Sequence, residues 1–255
     1  MFHEVLSKEP AGTSAEYFAV SREAFGCYLD VISATGFRGC SLKEARSAAT
    51  GRRVAITFDD GTIGHYEHAL PELVARGMTA TFFVTTTWIG RPGYATWDQL
   101  DTLRQAGMEI GSHTRTHRFL SELDADDVQR ELRGAKEEID AALGQRTEAI
   151  ALPGGDAPQR PLRRLFAEAG YAAVATSRWG RNADPPLESL AWIRRCTVRA
   201  APPGEFRRIL QRDRVLSARR QVRESVLGAL RRALGPSRYA RWRRQFIETA
   251  GRSST

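Results

Sequence analysis

Two adjacent carboxylates, Asp59 and Asp60, close a short apolar run in "AITFDDGTIGHY" (residues 55–66), and two histidines four apart, His113 and His117, stand in "EIGSHTRTHRFL". Each pattern is weak by itself. Asp-Gly commonly ends a strand in a turn, and two surface histidines can share a helix face by accident. Together they form a donor set. Two imidazoles and one carboxylate make a three-ligand site that leaves positions open for water and substrate, as in a catalytic rather than a structural zinc site. The HxxxH spacing predicts one helical turn that presents both imidazoles on the same face.

The elements that must position these residues follow from Val54 onward, where short apolar runs alternate with amphipathic stretches. "VAITF", "TATFFVTT", "MEIGS", "TEAIALP" and "YAAVATS" read as strands. "YEHALPELVARG" reads as a helix stopped at Gly77, and "TWDQLDTLRQAG" as one with a threonine cap. "DADDVQRELRGAKEEIDAALG" is a long helix opening with acids at the positive end of its dipole, and "RPLRRLFAEAG" is a further helix. Repeated strand-helix units imply an α/β protein with parallel strands and outer helices, as an open sheet or a barrel. In both layouts the site gathers at the carboxyl ends of the strands. Asp59, Asp60, His113 and Pro153 all fall just after such ends. "YFAVSREAFGCYLDVISATG" reads as a helix ahead of this core, and the chain from "PPGEFRRIL" through "ARWRRQFIETA" reads as helical and basic.

The linked motifs resemble the polysaccharide deacetylases, the NodB-type metal-dependent carbohydrate de-N-acetylases of carbohydrate esterase family 4. The likeness runs from "VAITFDDG" through "ATFFV", "GMEIGSHTRTH", "LPGG" and "AGYAAVATS" to about "IRRCTV". "MFH" is similar to the Tyr-His strand that opens many members, with Phe2 in the tyrosine position. The resemblance implies a distorted (β/α) barrel with its site at the C-terminal mouth. It divides the chain into an N-terminal strand and helix packing on the barrel (1–50), a NodB-type core (51–200) and a basic helical extension (201–255). It implies a divalent metal, usually zinc, with cobalt, nickel or manganese as alternatives, held by Asp60, His113 and His117. Asp59 becomes the general base. Two carboxylates suit this chemistry, because a carboxylate committed to the cation cannot also accept the proton of water. A backbone N–H in Gly154-Gly155, following Pro153, would stabilise the oxyanion, and glycines there let the backbone approach substrate closely.

The chain also departs from the family pattern. Ala151 stands where many members carry an arginine that braces the base. No histidine follows His117, whereas many members place one near the last strand to protonate the leaving amine. Arg195 lies in that region and is expected to orient substrate, being too basic to donate a proton. His3 is the preferred substitute acid, with His65 and His68 expected to be capping or surface residues. Among Trp97, Trp179 and Trp192, Trp179 in "TSRWGRN" is expected to face the sugar and the others to pack in the core.

Composition narrows the setting. No run approaches the roughly 20 apolar residues of a membrane-spanning helix, and "MFHEVLSKEP" shows no secretory pattern. Cytoplasmic placement is therefore expected, unless an export signal precedes "MFHEV". Three dispersed cysteines form no disulfide framework. The net charge of +8 is carried almost wholly by arginine and concentrated near the C-terminus, a solvated helical face rather than a nucleic-acid site. In that segment Val222, Val226, Leu227, Leu230 and Leu234 are expected to pack on the barrel. Arg220, Arg223, Arg231, Arg241 and Arg244 would then face outward, where they could touch an anionic membrane. The expected function is removal of the N-acetyl group from an N-acetylhexosamine in a surface polysaccharide or its precursor. The alternatives are another non-peptide amide hydrolase and a metal-containing glycan-binding protein without turnover.

Overall fold

The structure, a computed structural model of the 255-residue chain, describes residues 1–10, 17–47, 51–180, 182, 190–199, 202–211, 222, 226–231, 233–235, 237–239, 241, 242 and 245. In chain order the strands are β1 (Glu4–Leu6), β2 (Ala19–Ser21), β3 (Arg38–Cys40), β4 (Arg53–Ala55), β5 (Thr57–Phe58), β6 (Thr81–Val84), β7 (Glu109–Ser112), β8 (Ala149–Ala151), β9 (Ala173–Ala175) and β10 (Ala191–Ile193). The α-helices are α1 (Arg22–Ala34), α2 (Leu42–Arg46), α3 (Leu70–Ala75), α4 (Trp97–Gln105), α5 (Ala125–Leu143), α6 (Arg164–Glu168) and α7 (Pro203–Leu210).

Strands β5 to β10 form one all-parallel sheet in the order β10-β9-β8-β7-β6-β5, so neighbours in sequence are neighbours in space. The sheet curls into a distorted barrel, and the first residues span its open side. The Phe2 N–H donates to the Thr57 carbonyl at 2.8 Å, and the Phe2 carbonyl accepts from the Asp59 N–H at 3.0 Å. On the other flank the Met1 carbonyl accepts from the Val198 N–H at 2.9 Å. This closing stave sets His3 beside the end of β5.

Side-chain size explains the curl. Ala149, Ala151, Ala173 and Ala175 share one face of β8 and β9 and pack with Phe83 and Ile193 in the interior. At Gly111 a Cβ would lie 2.6 Å from the Phe83 ring, so only glycine leaves room for that phenylalanine. The opposite residues, Ile150 and Val174, pack outward against Val128 and Leu132 of α5 and Leu165 and Phe166 of α6.

The helices begin and end where local chemistry dictates. Thr96 and Gln99 form a capping box on α4, Asp124 caps α5, and α5 stops at Gly144 in the left-handed conformation. Two expectations need correction. The stretch from Tyr17 to Gly36 is not one helix, because Ala19–Ser21 pairs with β1, and α1 starts where the Ser21 hydroxyl accepts from the Ala24 N–H. In the C-terminal segment Val222 and Val226 are exposed rather than packed, and Arg231 points inward rather than outward. Arg241 is exposed as expected, whereas Arg220, Arg223 and Arg244 lie outside the described residues. Among the described residues no helix is long and apolar enough to cross a membrane.

Candidate metal and hydrolytic site

Asp60 follows β5 and His113 follows β7, so parallel pairing through β6 brings the two strand ends together. Asp60 Oδ1 lies 3.4 Å from His113 Nε2 and 3.4 Å from His117 Nε2. The three donor atoms all fall within 4.8 Å of one another. In a tetrahedral site with bonds of about 2.0–2.1 Å, ligand atoms stand roughly 3.4 Å apart. The residues therefore fit a zinc-sized divalent ion. His113 Nδ1 lies 2.9 Å from the Ala151 carbonyl, which can only accept. Nδ1 thus carries the proton, and the Nε2 lone pair is left for the site.

The expected helical turn at 113–117 is absent, and these residues form an irregular loop. Among the described residues only three non-glycines have left-handed backbone: Asp60 (φ 79°), Thr114 (φ 65°) and His117 (φ 62°). Two of the three are candidate ligands. Such conformations cost of order 1 kcal/mol or more each and persist only where the surroundings impose them. For the loop that holds Thr114 and His117, Glu131 of α5 supplies that constraint. Its Oε2 accepts from the Arg115 N–H at 2.9 Å and the Thr116 N–H at 2.8 Å, and Oε1 accepts from the Thr116 hydroxyl. The Thr114 hydroxyl oxygen accepts from the His117 N–H at 3.2 Å. Sequence reasoning missed Glu131. The available signal was an acid set into the apolar stripe of Val128, Leu132 and Ala135, which is buried along with them.

Asp59 is 2% exposed and Arg195 6%. Arg195 Nη1 and Nη2 donate to Asp59 Oδ1 and Oδ2 at 2.6 and 2.8 Å, and its Nε donates to the Thr176 carbonyl at 2.9 Å. The guanidinium is thus committed to the protein itself. Arg195, two residues past β10, is therefore held against Asp59 rather than left free for substrate, and it stands where it can brace that carboxylate in place of the arginine absent at Ala151. Burial pushes the Asp59 carboxyl up, but Arg195 and His113 outweigh it and hold Asp59 below the usual carboxylate range. Burial acts likewise on Asp60, and the neighbouring His113 and His117 bring it well below. Burial disfavours a charged His113, yet Asp59 and Asp60 lift it above the ordinary imidazole value. The pocket favours positive charge.

The remaining candidates are distributed around this centre. Pro153 is buried, and Gly154 and Gly155 adopt φ of 56° and 67°, conformations that favour glycine. The Gly155 N–H is already bonded to the Leu152 carbonyl at 2.8 Å, which leaves that of Gly154 as the candidate oxyanion donor. His3 stacks on Phe18 at 4.7 Å, and its Nδ1 is enclosed without a hydrogen-bond partner. Burial lowers its pKa, while Asp59 and Asp60 are near enough to oppose that shift. His65 is buried between Phe58 and Phe82 and its Nε2–H donates to the His3 carbonyl at 2.6 Å, so it is neither a cap nor a surface residue. His68 is half-buried and lies 3.9 Å from Glu67. Trp97 and Trp192 pack in apolar clusters as expected, and Trp179 is half-buried in the loop after β9. Trp88, not singled out from sequence, lies 4.7 Å from the His117 ring and 5.1 Å from Tyr94, both distances between ring centroids.

Comparison with known proteins places the chain by family and fold. The polysaccharide deacetylase family profile matches residues 46–174. YxkH of Bacillus subtilis, provisionally described as a polysaccharide deacetylase, is 27% identical over 200 residues, which span 76% of this chain and 69% of that protein. Among solved structures, the Streptococcus pyogenes deacetylase PplD in complex with acetate superposes with a TM-score of 0.72 at 26% identity, covering 82% of this chain and 96% of that one. IcaB from Ammonifex degensii shares the fold, with a TM-score of 0.69 at 24% identity over 82% of this chain and 94% of its own. With half of its length matched by the family profile, the chain belongs to the polysaccharide deacetylase family.

Proposed function

We propose that the chain is a metal-dependent hydrolase that removes the acetyl group from an N-acetylhexosamine of a polysaccharide or its precursor. The observation that carries this reading is the convergence of Asp60, His113 and His117 beside an arginine-braced Asp59 at the barrel mouth. A divalent metal held by the three residues, zinc or alternatively cobalt, nickel or manganese, would supply Lewis-acid polarisation of the amide carbonyl and a lowered pKa for water. Asp59, kept ionised by Arg195, accepts the proton of the attacking water. The Gly154 N–H donates to the carbonyl oxygen as it gains charge. His3, enclosed beside both aspartates, donates to the departing amine nitrogen. Burial holds the His3 pKa below the ordinary imidazole value, so the proton it passes to the amine is the one Asp59 takes from water.

The test is acetate release from N-acetylglucosamine oligomers, peptidoglycan fragments and nucleotide sugars, with zinc and cobalt compared. Acetate release abolished by Asp59→Asn supports the reading. Hydrolysis of small or cyclic amides without acetate release from any N-acetyl sugar overturns it in favour of another amide hydrolase. Metal binding with no turnover on any amide leaves a glycan-binding protein.

A further inference from the structure

Arg231, in the C-terminal extension, reaches back to the loop that carries the two glycines. Its Nη1 donates to the Gly154 carbonyl at 2.9 Å and its Nη2 to Asp156 Oδ1 at 2.7 Å. Its guanidinium lies 5.8 Å from the centre of the Phe119 ring. Asp156 is buried and also accepts from Ser121, whose N–H reaches Oδ2 at 2.7 Å and whose hydroxyl reaches Oδ1 at 3.0 Å. Phe119 limits the glycine loop directly, since a Cβ on Gly154 would lie 2.9 Å from its ring. A second tie follows at Ser237, whose N–H and hydroxyl donate to Glu122 at 3.0 and 2.6 Å. One arginine thus joins the segment after His117, the loop after β8 and the C-terminal extension.

We propose that Arg231 is a positioning residue for the hydrolytic site, fixing the Pro153–Gly155 loop so that the Gly154 N–H faces the developing oxyanion. The proposal rests on the deacetylase reading above. The Gly154 carbonyl and the Gly155 N–H belong to one peptide unit. Arg231 holds its oxygen and the Leu152 carbonyl holds its N–H at 2.8 Å. Two successive glycines have the widest conformational freedom of any pair, so without the outer tie this peptide plane can rotate, and the adjoining Pro153–Gly154 unit, which carries the Gly154 N–H, loses the anchor on its C-terminal side. An oxyanion donor lowers the barrier only when it is already aimed. Arginine suits the task because its rigid fork serves a carbonyl and a carboxylate together, which a lysine ammonium cannot do.

The test uses the zinc-loaded full chain, with acetate release from N-acetylglucosamine oligomers and hydrogen exchange at the Gly155 amide as separate readouts. Arg231→Ala should lower kcat about 10-fold with KM and zinc stoichiometry unchanged, and Gly155 exchange should quicken by a similar factor. Arg231→Lys should recover little of either. Asp156→Asn should cost less kcat when added to Arg231→Ala than it does alone, because the bond to Arg231 is one of those that Asp156 makes. Wild-type kcat or unchanged Gly155 exchange in Arg231→Ala overturns the proposal, as does loss of zinc in that variant. If the wild type releases no acetate from any N-acetyl sugar, the deacetylase reading fails, while Gly155 exchange still decides whether Arg231 holds the loop.

Discussion

The ion pair behind the proposed base makes a quantitative prediction about stability. Arg195→Met keeps most of the aliphatic stem but leaves Asp59, 2% exposed, without the two donors at 2.6 and 2.8 Å. Removing one member of a buried pair costs about 3–5 kcal/mol, because the other charge stays buried without compensation. Asp59→Asn should cost less, roughly 2–3 kcal/mol. The guanidinium retains the Thr176 carbonyl at 2.9 Å and the Thr57 hydroxyl at 3.3 Å, and the new amide oxygen can still accept one bond. The double variant removes both charges and should lose less than the sum, with a coupling of about 2–3 kcal/mol. Urea unfolding of the full chain at pH 7 in chelator, followed by circular dichroism and tryptophan fluorescence, measures all four corners of the cycle. A Tm drop of about 8–15 °C in Arg195→Met should accompany the largest loss. If Arg195→Met unfolds within about 1 kcal/mol of wild type, or if the two costs simply add, the buried bidentate pair is not what holds Asp59.

Glu131→Ala strips three hydrogen bonds from the loop between His113 and His117, so metal affinity should fall about 10–100-fold in a competition titration while the barrel still folds; an unchanged affinity would show that the left-handed loop holds itself. Burial pushes the Glu4 carboxyl up to about 7, against the pull of the Thr62 hydroxyl and the Val5 N–H. Below the unfolded value Glu4 is protonated in both states. Above it the unfolded chain ionises first, so the folded state loses stability as pH rises, by about 2–3 kcal/mol past pH 7. Glu4→Gln should therefore be more stable than wild type at pH 8 and equal to it near pH 4.5 in metal-free urea titrations; the same difference at both pH values would contradict this.

The sequence showed most where function is written linearly. Asp59-Asp60-Gly at a strand end and His113-x-x-x-His117 after a later strand could be read as one site, because parallel strands bring their carboxyl ends to one rim. The helical spacing that suggested convergence misled about its cause. His113 and His117 meet through a left-handed loop held by Glu131, and periodicity carries no information about φ. Arg195 lies 136 residues from Asp59, so its pairing with that carboxylate depended on which flank of the closed barrel it faces. Ala151 read as a missing brace because its useful atom, the carbonyl that orients His113, belongs to every residue type. Helical spacing, with Arg231 interleaved among apolar positions expected to pack on the barrel, points it outward, although the buried acid it meets, Asp156, sits after a glycine loop whose course no local pattern sets.

Metal content and acetate release measured on the same samples test the central claim most directly. The comparison needs wild type, Asp59→Asn, Asp60→Asn and His117→Ala, each before chelation, after it and after zinc is restored. Wild type should hold one divalent ion, lose acetate release on chelation and regain it with zinc. Asp59→Asn should keep the ion and release no acetate, whereas Asp60→Asn and His117→Ala should lose both. Full acetate release from chelated wild type, or equal metal loss in the two aspartate variants, would contradict the assignment of one carboxylate to the metal and its neighbour to the proton.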